Sequence, residues 1–277
     1  MRAKGAAKDM TIESLEAIDV HAHFGIYKNG RHPLVDEFLS GDADVVVERA
    51  RAARTRLTIA SPLLALMPRF GADPVGGNIE AARVVAQTDG LLQWVVIDPL
   101  KPETYDQADA MLKLPKCAGI KIHPEEHGYK IAEHGAPIFR FAAARRAIIL
   151  THSGEQNSLP MDFVPFADEF PEVRLILAHL GCGWDGDPSH QVRAIQASRH
   201  DNLFVDTSSA MSIMSNLVEW AVREIGAEKM LYGTDTPLYS AAMQRARIDS
   251  AAISDEAKAL ILRDNAVRLF GLEQEAL

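Results

Sequence analysis

Asp19-Val20-His21-Ala22-His23-Phe24 places two imidazoles two positions apart inside a short apolar run. Successive side chains of a strand point to opposite faces, so an extended run here aims both rings the same way. Alone, the pair fits either a metal-binding motif or two hydrogen-bonded strand histidines. Its surroundings carry more. The first predicted strand spans 17–24, and seven similar runs follow at 56–61, 91–98, 117–123, 147–154, 173–181, 203–209 and 230–237. Each leads through a loop toward an amphipathic segment, and helices are legible at 44–54, 78–88, 104–112, 191–198 and 213–225.

Eight βα units over 277 residues fit a closed parallel barrel, although a doubly wound open sheet shows the same alternation. The polar residues separate the two. Lys121, His123, His152, His179 and Asp235, like His21 and His23, stand at the C-terminal ends of predicted strands. A barrel gathers those ends onto one face, where its active sites lie. The expected fold is α/β, a single (β/α)8 TIM barrel over residues 1–277, with 1–16 an N-terminal extension. A last helix, capped by Ser254 and stopped at Gly271, is expected to close it. The connections 25–43, 62–77 and 124–137 read as long loops walling a pocket.

Composition narrows the function classes. A chain that is 47% hydrophobic can bury about three quarters of its unfolded surface at this length, enough for one core without disulfides. Cys117 and Cys182 form no CxxC pair, which argues against a zinc ribbon and for a reducing, cytoplasmic setting. No run approaches the roughly 18 apolar residues of a membrane span, and no apolar core of a leader follows Met1. The net charge of −9 speaks against nucleic acid as a partner. Arg49, Arg51, Arg54 and Arg56 read as the solvated face of a helix, and Gly76-Gly77 lacks the Lys-Ser/Thr of a phosphate loop.

Three imidazoles and one carboxylate, drawn from His21, His23, His152, His179 and Asp235, suit a borderline divalent cation. Zn2+ is the first expectation, with Mn2+, Fe2+ or Co2+ open. Asp235 would be costly to bury as an unpaired carboxylate, and a cation removes that cost. Trp184 reads as an apolar wall or an ordinary packing residue. His127 and His134 are expected on an exposed loop bordering the site, and His32, His190 and His200 are expected to face solvent.

Asp-Val-His-Ala-His-Phe at 19–24, Gly-Ile-Lys-Ile-His-Pro at 119–124, Thr-His-Ser-Gly at 151–154, Ala-His-Leu-Gly at 178–181 and Tyr-Gly-Thr-Asp-Thr-Pro at 232–237 together resemble the amidohydrolase superfamily. More narrowly they resemble its amidohydrolase-2 branch, which includes the aminocarboxymuconate-semialdehyde decarboxylase-like enzymes. The resemblance runs from about residue 17 to Leu272. It implies His21, His23, His152 and Asp235 as metal ligands and His179 as the residue that orients or deprotonates a metal-bound water. It also implies a second role for Asp235 as proton shuttle. In binuclear members a fourth-strand lysine is carboxylated and bridges two metals, which Lys121 could match; otherwise Lys121 and His123 line the pocket and meet an anionic or carbonyl group.

The leading expectation is therefore hydrolysis of a small ester, lactone or amide by metal-activated water, with a small carboxylate- or carbonyl-bearing molecule as partner. A non-oxidative decarboxylase of a small aromatic or unsaturated acid is the alternative, and a non-catalytic metal-binding barrel the third. Homo-oligomer formation stays open.

Overall fold

The computed structural model describes residues 11–28, 32–209 and 213–272. Eight strands, β1 (Ala17–Phe24), β2 (Thr55–Pro62), β3 (Leu91–Val96), β4 (Cys117–Ile122), β5 (Ile148–Thr151), β6 (Arg174–Leu177), β7 (Leu203–Asp206) and β8 (Met230–Leu231), pair in parallel in sequence order. Val20 N–H donates to Tyr232 O at 2.9 Å and His23 N–H to Thr236 O at 2.7 Å, which brings the last strand back to the first. The barrel, not the open sheet, is the fold.

Around it run α1 (Pro33–Phe38), α2 (Ala43–Ala52), α3 (Pro74–Gln87), α4 (Glu103–Met111), α5 (Pro124–His127), α6 (Ile131–Arg145), α7 (Pro160–Glu169), α8 (His190–Ala197), α9 (Leu217–Ile225), α10 (Ala241–Ser250), α11 (Asp255–Ala259) and α12 (Asn265–Phe270). Among the described residues, no helix is long and apolar enough to cross a membrane. Alternation along the strands builds two layers. Trp94, Leu150 and Ile176 belong to an inner cluster, while their neighbours Val95, Ile149 and Leu175 pack outward. The C-terminal helix seals the inner cluster, with Phe270 meeting Trp94 edge-on at 5.6 Å. Ser254 caps α11 by accepting from Ala257 N, and Gly271 ends α12 at φ +63°, as expected from the sequence.

Several expectations are corrected. β5, β6 and β8 are shorter than predicted because the chain leaves the ladder before His152, His179 and Asp235, and β7 ends at Asp206 rather than at residue 209. His179 and Asp235 sit at φ +71° and +59°, a left-handed turn that no strand can contain. Residues 124–137 are not a loop: they form α5 and the first half of α6, which continues through Pro137. A Cβ on Gly135 would lie 2.5 Å from the Phe166 ring, so close packing on α7 holds this helix despite its proline. Arg54 and Arg56 lie outside the helix that carries Arg49 and Arg51: Arg54 follows α2 at φ +56° and pairs with Asp249, and Arg56 lies in β2.

Of the expected N-terminal extension, residues 1–10 lie outside the described residues, whereas the stretch just before β1 is part of the barrel's packing. Leu15 is buried, and Arg245, only 2% exposed, donates to Leu15 O at 2.9 Å, Ile12 O at 3.3 Å and Arg54 O at 3.2 Å. Its Nε also pairs with Asp249 at 2.8 Å. Arg245→Met leaves three carbonyls and a carboxylate without this partner, so it should cost about 2–4 kcal/mol of stability, read by urea unfolding. An unchanged midpoint would show that this guanidinium ties down nothing.

Candidate metal centre

In β1 the sequence pattern alone does not aim the histidines. Ile18 and Val20 join the inner cluster with Trp94, yet Ala22 and Phe24 pack outward against Val46 and Val85. Both pairs occupy even positions, so the face changes between them. The strand register shifts between Asp19 and Ala22, and this bulge turns His21 and His23 toward the mouth. Asp19 holds the turn by accepting from His21 N at 3.0 Å and from Thr234 N and Oγ1. Burial pushes its carboxyl up to about 8.

His21 and His23 meet Asp235 at the mouth. His23 Nε2 lies 2.9 Å and His21 Nε2 3.6 Å from Asp235 Oδ1, and all three groups are buried. Burial alone would raise the Asp235 carboxyl, but the hydrogen bond from His23 and the neighbouring imidazoles of His21 and His179 hold it far below the usual carboxylate range. Burial lowers His23 to about 4 and drives His123 and His179 well below the normal imidazole value. A neutral His23 beside an ionised Asp235 matches the protonation states a cation requires of such ligands.

Asp206, at the end of β7, holds one ring nitrogen of His21. Its Oδ2 lies 2.9 Å from His21 Nδ1, and its carboxyl is held well below normal by His21 despite full burial. The Nδ1 side of His21 is thereby taken by Asp206, which leaves Nε2 as the nitrogen on the side of Asp235. Among the described residues, His21, His23 and Asp235 form one of two three-residue groupings in which one ligand atom from each lies within 4.8 Å of the others. The other combines His21, His179 and Asp206, but Asp206 Oδ1 already accepts from His179 N at 3.1 Å and Ser208 N at 2.9 Å. All three members of the first grouping line the cavity, and its donor set of two imidazoles and a carboxylate fits a divalent cation.

His152 and His179 join the same cavity but not the first grouping. His152 Nδ1 lies 3.0 Å from His179 Nε2, His152 Nε2 lies 2.9 Å from Glu155 Oε1, and His179 Nδ1 lies 2.8 Å from Ser208 Oγ. His123 stacks flat on His152 at 4.2 Å between ring centres. Lys121, fully buried, points Nζ at His21 Nε2 from 2.9 Å, and burial lowers its amine to about 8 against the pull of Asp235 and Asp206.

The cavity above these groups holds about 340 Å³. Leu63, Leu66 and Met67 from the loop after β2 form one apolar side, with Leu238 across from the loop after β8. Glu126 and Glu155 also line it. Trp184 is 56% exposed and lies outside the lining, so the apolar wall comes from the β2 loop. Three other histidines differ from expectation. His127 is buried in α5 and its Nε2 binds Ala65 O at 2.9 Å, while His134 lies in α6 and meets Tyr129 edge-on. His190 is held by Asp185 at 2.9 Å with its side chain largely covered. His32 and His200 are exposed, as expected.

Sequence reasoning missed Asp206, Ser208 and Glu155. Asp206 could have been found: it closes a strand in Phe204-Val205-Asp206-Thr207-Ser208, at the same position that singled out the histidines. Glu155 offered no such signal, since its place depends on the turn after His152.

Eight parallel strands whose ends gather imidazoles and carboxylates around one cavity define a barrel enzyme of the amidohydrolase superfamily. A family model described as amidohydrolase, that of the amidohydrolase-2 branch, matches residues 18–272, and the chain belongs to that family. No curated protein sequence matches it significantly. Among solved structures it is similar to 5-carboxyvanillate decarboxylase from Sphingomonas paucimobilis, at 14% identity, TM-score 0.72, covering 94% of this chain and 100% of that one. It is also similar to a dihydroxybenzoic acid decarboxylase from a Polaromonas species with bound manganese and the inhibitor 2-nitroresorcinol, at 16% identity, TM-score 0.70, covering 95% and 99%. A third is 2,6-dihydroxybenzoate decarboxylase from Rhizobium, at 14% identity, TM-score 0.69, covering 92% and 98%. At these identities the likeness shows the fold.

Proposed function

We propose that the chain is a single-domain, divalent-metal-dependent decarboxylase acting on a small aromatic or unsaturated carboxylic acid. The observation that carries it is the convergence of His21, His23 and Asp235 beneath a cavity with apolar sides and buried Lys121 at its floor. The decarboxylases among the similar structures support this reading over hydrolysis, and the manganese in one of them makes Mn2+ the first metal to test, ahead of the Zn2+ expected from the sequence.

His21, His23 and Asp235 would hold the cation, with His152 joining them after turning from Glu155. Bound there, the cation supplies Lewis acidity and neutralises substrate oxygens. Lys121 and His123 face the space where the acid's oxygens would lie, and the sides formed by Leu63, Leu66, Met67 and Leu238 accommodate its ring. Loss of CO2 breaks the bond from ring carbon to carboxylate and leaves the electron pair on that carbon, which then takes one proton. His179 would deliver it from Nε2, with Ser208 holding its Nδ1, while Asp235, ionised in the resting site, would relay the proton that replaces it.

Hydrolysis is the second reading, and one observation favours it. His152 Nδ1 and His179 Nε2 face each other at 3.0 Å in the same cavity as Lys121, whose amine burial lowers to about 8. A carboxylated Lys121 with these two rings would hold a second ion.

Panels of hydroxybenzoates, lactones and amides, run with the manganese and zinc forms in 18O-water, separate the two. The decarboxylase reading expects stoichiometric CO2 from an acid and no solvent oxygen in the product. Solvent 18O entering the product without CO2 release would replace it with hydrolysis.

A further inference from the structure

We propose that Arg69 is a positioning residue that fastens the apolar wall of the cavity and so sets which ring sizes the site accepts. This rests on reading the cavity as the substrate site. Three wall residues, Leu63, Leu66 and Met67, belong to one segment between β2 and α3. The first half of that segment is core, with Leu63, Ala65 and Leu66 buried and the latter two packed on Val96, whereas Phe70 in its second half is 81% exposed. That second half is attached to the short helix α5 and the glycine after it.

The attachments are specific. Arg69 donates from Nη2 and Nε to Glu126 Oε1 at 2.9 and 3.3 Å. Phe70 N–H donates to Glu126 O at 3.1 Å, and His127 Nε2 binds Ala65 O at 2.9 Å. The Phe70 ring lies over Gly128, where a Cβ would come within 2.4 Å of it. Gly128 stands at φ +73°, so this position has both the backbone conformation and the open face that glycine permits. Of these contacts, the Arg69 ion pair is the one that also reaches the site's histidines. Arg69 Nη2 lies 3.9 Å from Glu155 Oε2, while Glu155 Oε1 lies 2.9 Å from His152 Nε2.

A guanidinium so placed does two things. It holds the second half of the loop on α5, which fixes how far Met67 reaches over the cavity. It also gives Glu155 a cationic neighbour, which fixes the carboxylate that His152 faces. Arg69 itself is 44% exposed at the side chain, so its removal opens no cavity in the core.

Hydrogen exchange on the full chain, with and without the substitution Arg69→Ala, tests the clasp without any substrate. Amide exchange over 64–73 should rise about fivefold, the most an exposed ion pair usually contributes, with no change over the barrel strands. Arg69→Lys, which keeps the charge, should return exchange to within about twofold of the parent. On any acid that turns over, Arg69→Ala should raise KM with little change in kcat and narrow the kcat/KM preference for compact over bulky rings. Unchanged exchange over 64–73, or an equal rise over every strand, overturns the clasp. Rising loop exchange with an unchanged ring-size preference overturns the specificity role. A panel with no turnover at all counts against the decarboxylase reading and leaves the exchange result to decide the clasp.

Discussion

Asp235→Asn should strip the protein of divalent metal and of activity together, each by more than the roughly 10–100-fold that changes behind a metal ligand usually cost. The reason lies in the mouth of the barrel. Asp235 places Oδ1 within 2.9 Å of His23 Nε2 and 3.6 Å of His21 Nε2, and its carboxyl stays ionised although fully buried. Asparagine matches its shape and tolerates the left-handed φ of +59° at this position, so the backbone turn survives while the negative charge is lost. Metal content by plasma mass spectrometry, measured beside turnover on the same preparations, checks it. Retention of metal at parent occupancy would remove Asp235 from the ligand set.

His179→Asn should behave differently. It also occupies a left-handed turn, at φ +71°, which asparagine can adopt. Because His179 Nδ1 is tied to Ser208 and its Nε2 faces His152 rather than Asp235, its loss should leave metal in place. What disappears is proton transfer, worth about 10²–10⁴-fold in kcat. KM should change little. Steady-state kinetics with metal analysis separate the two substitutions: metal loss in the Asp235 variant, a kcat loss at full metal in the His179 variant. Full activity in the latter would end its assignment to proton transfer.

The contrast between these residues also shows what the amino-acid order made legible. His21, His23, His152, His179 and Asp235 were visible because each ends an apolar run, and a barrel brings such ends to one rim. The same regularity misjudged strand length. A run of apolar residues does not reveal that the chain turns left-handed at His179 and Asp235, because that turn is set by contacts made across the barrel, such as Asp206 to His179 N. The bulge in β1 was hidden for a similar reason: Asp19 anchors to Thr234, 215 positions away. Pro137 pointed to a loop where α6 packs tightly enough on Phe166 to keep a helix. Trp184 drew attention as the aromatic beside a strand end, whereas Leu63, Leu66 and Met67 carried no mark of their own before the β2 loop folded over the cavity. Hydrolysis and decarboxylation could not be told apart by spacing, since one ligand set serves both and the distinction rests on how protons and water reach the substrate.

Anomalous diffraction from crystals loaded with Mn2+ addresses the central claim most directly. A strong peak bounded by His21 Nε2, His23 Nε2 and Asp235 Oδ1 is the predicted result. A map without density there, or with manganese only at surface carboxylates such as Asp185, would contradict it.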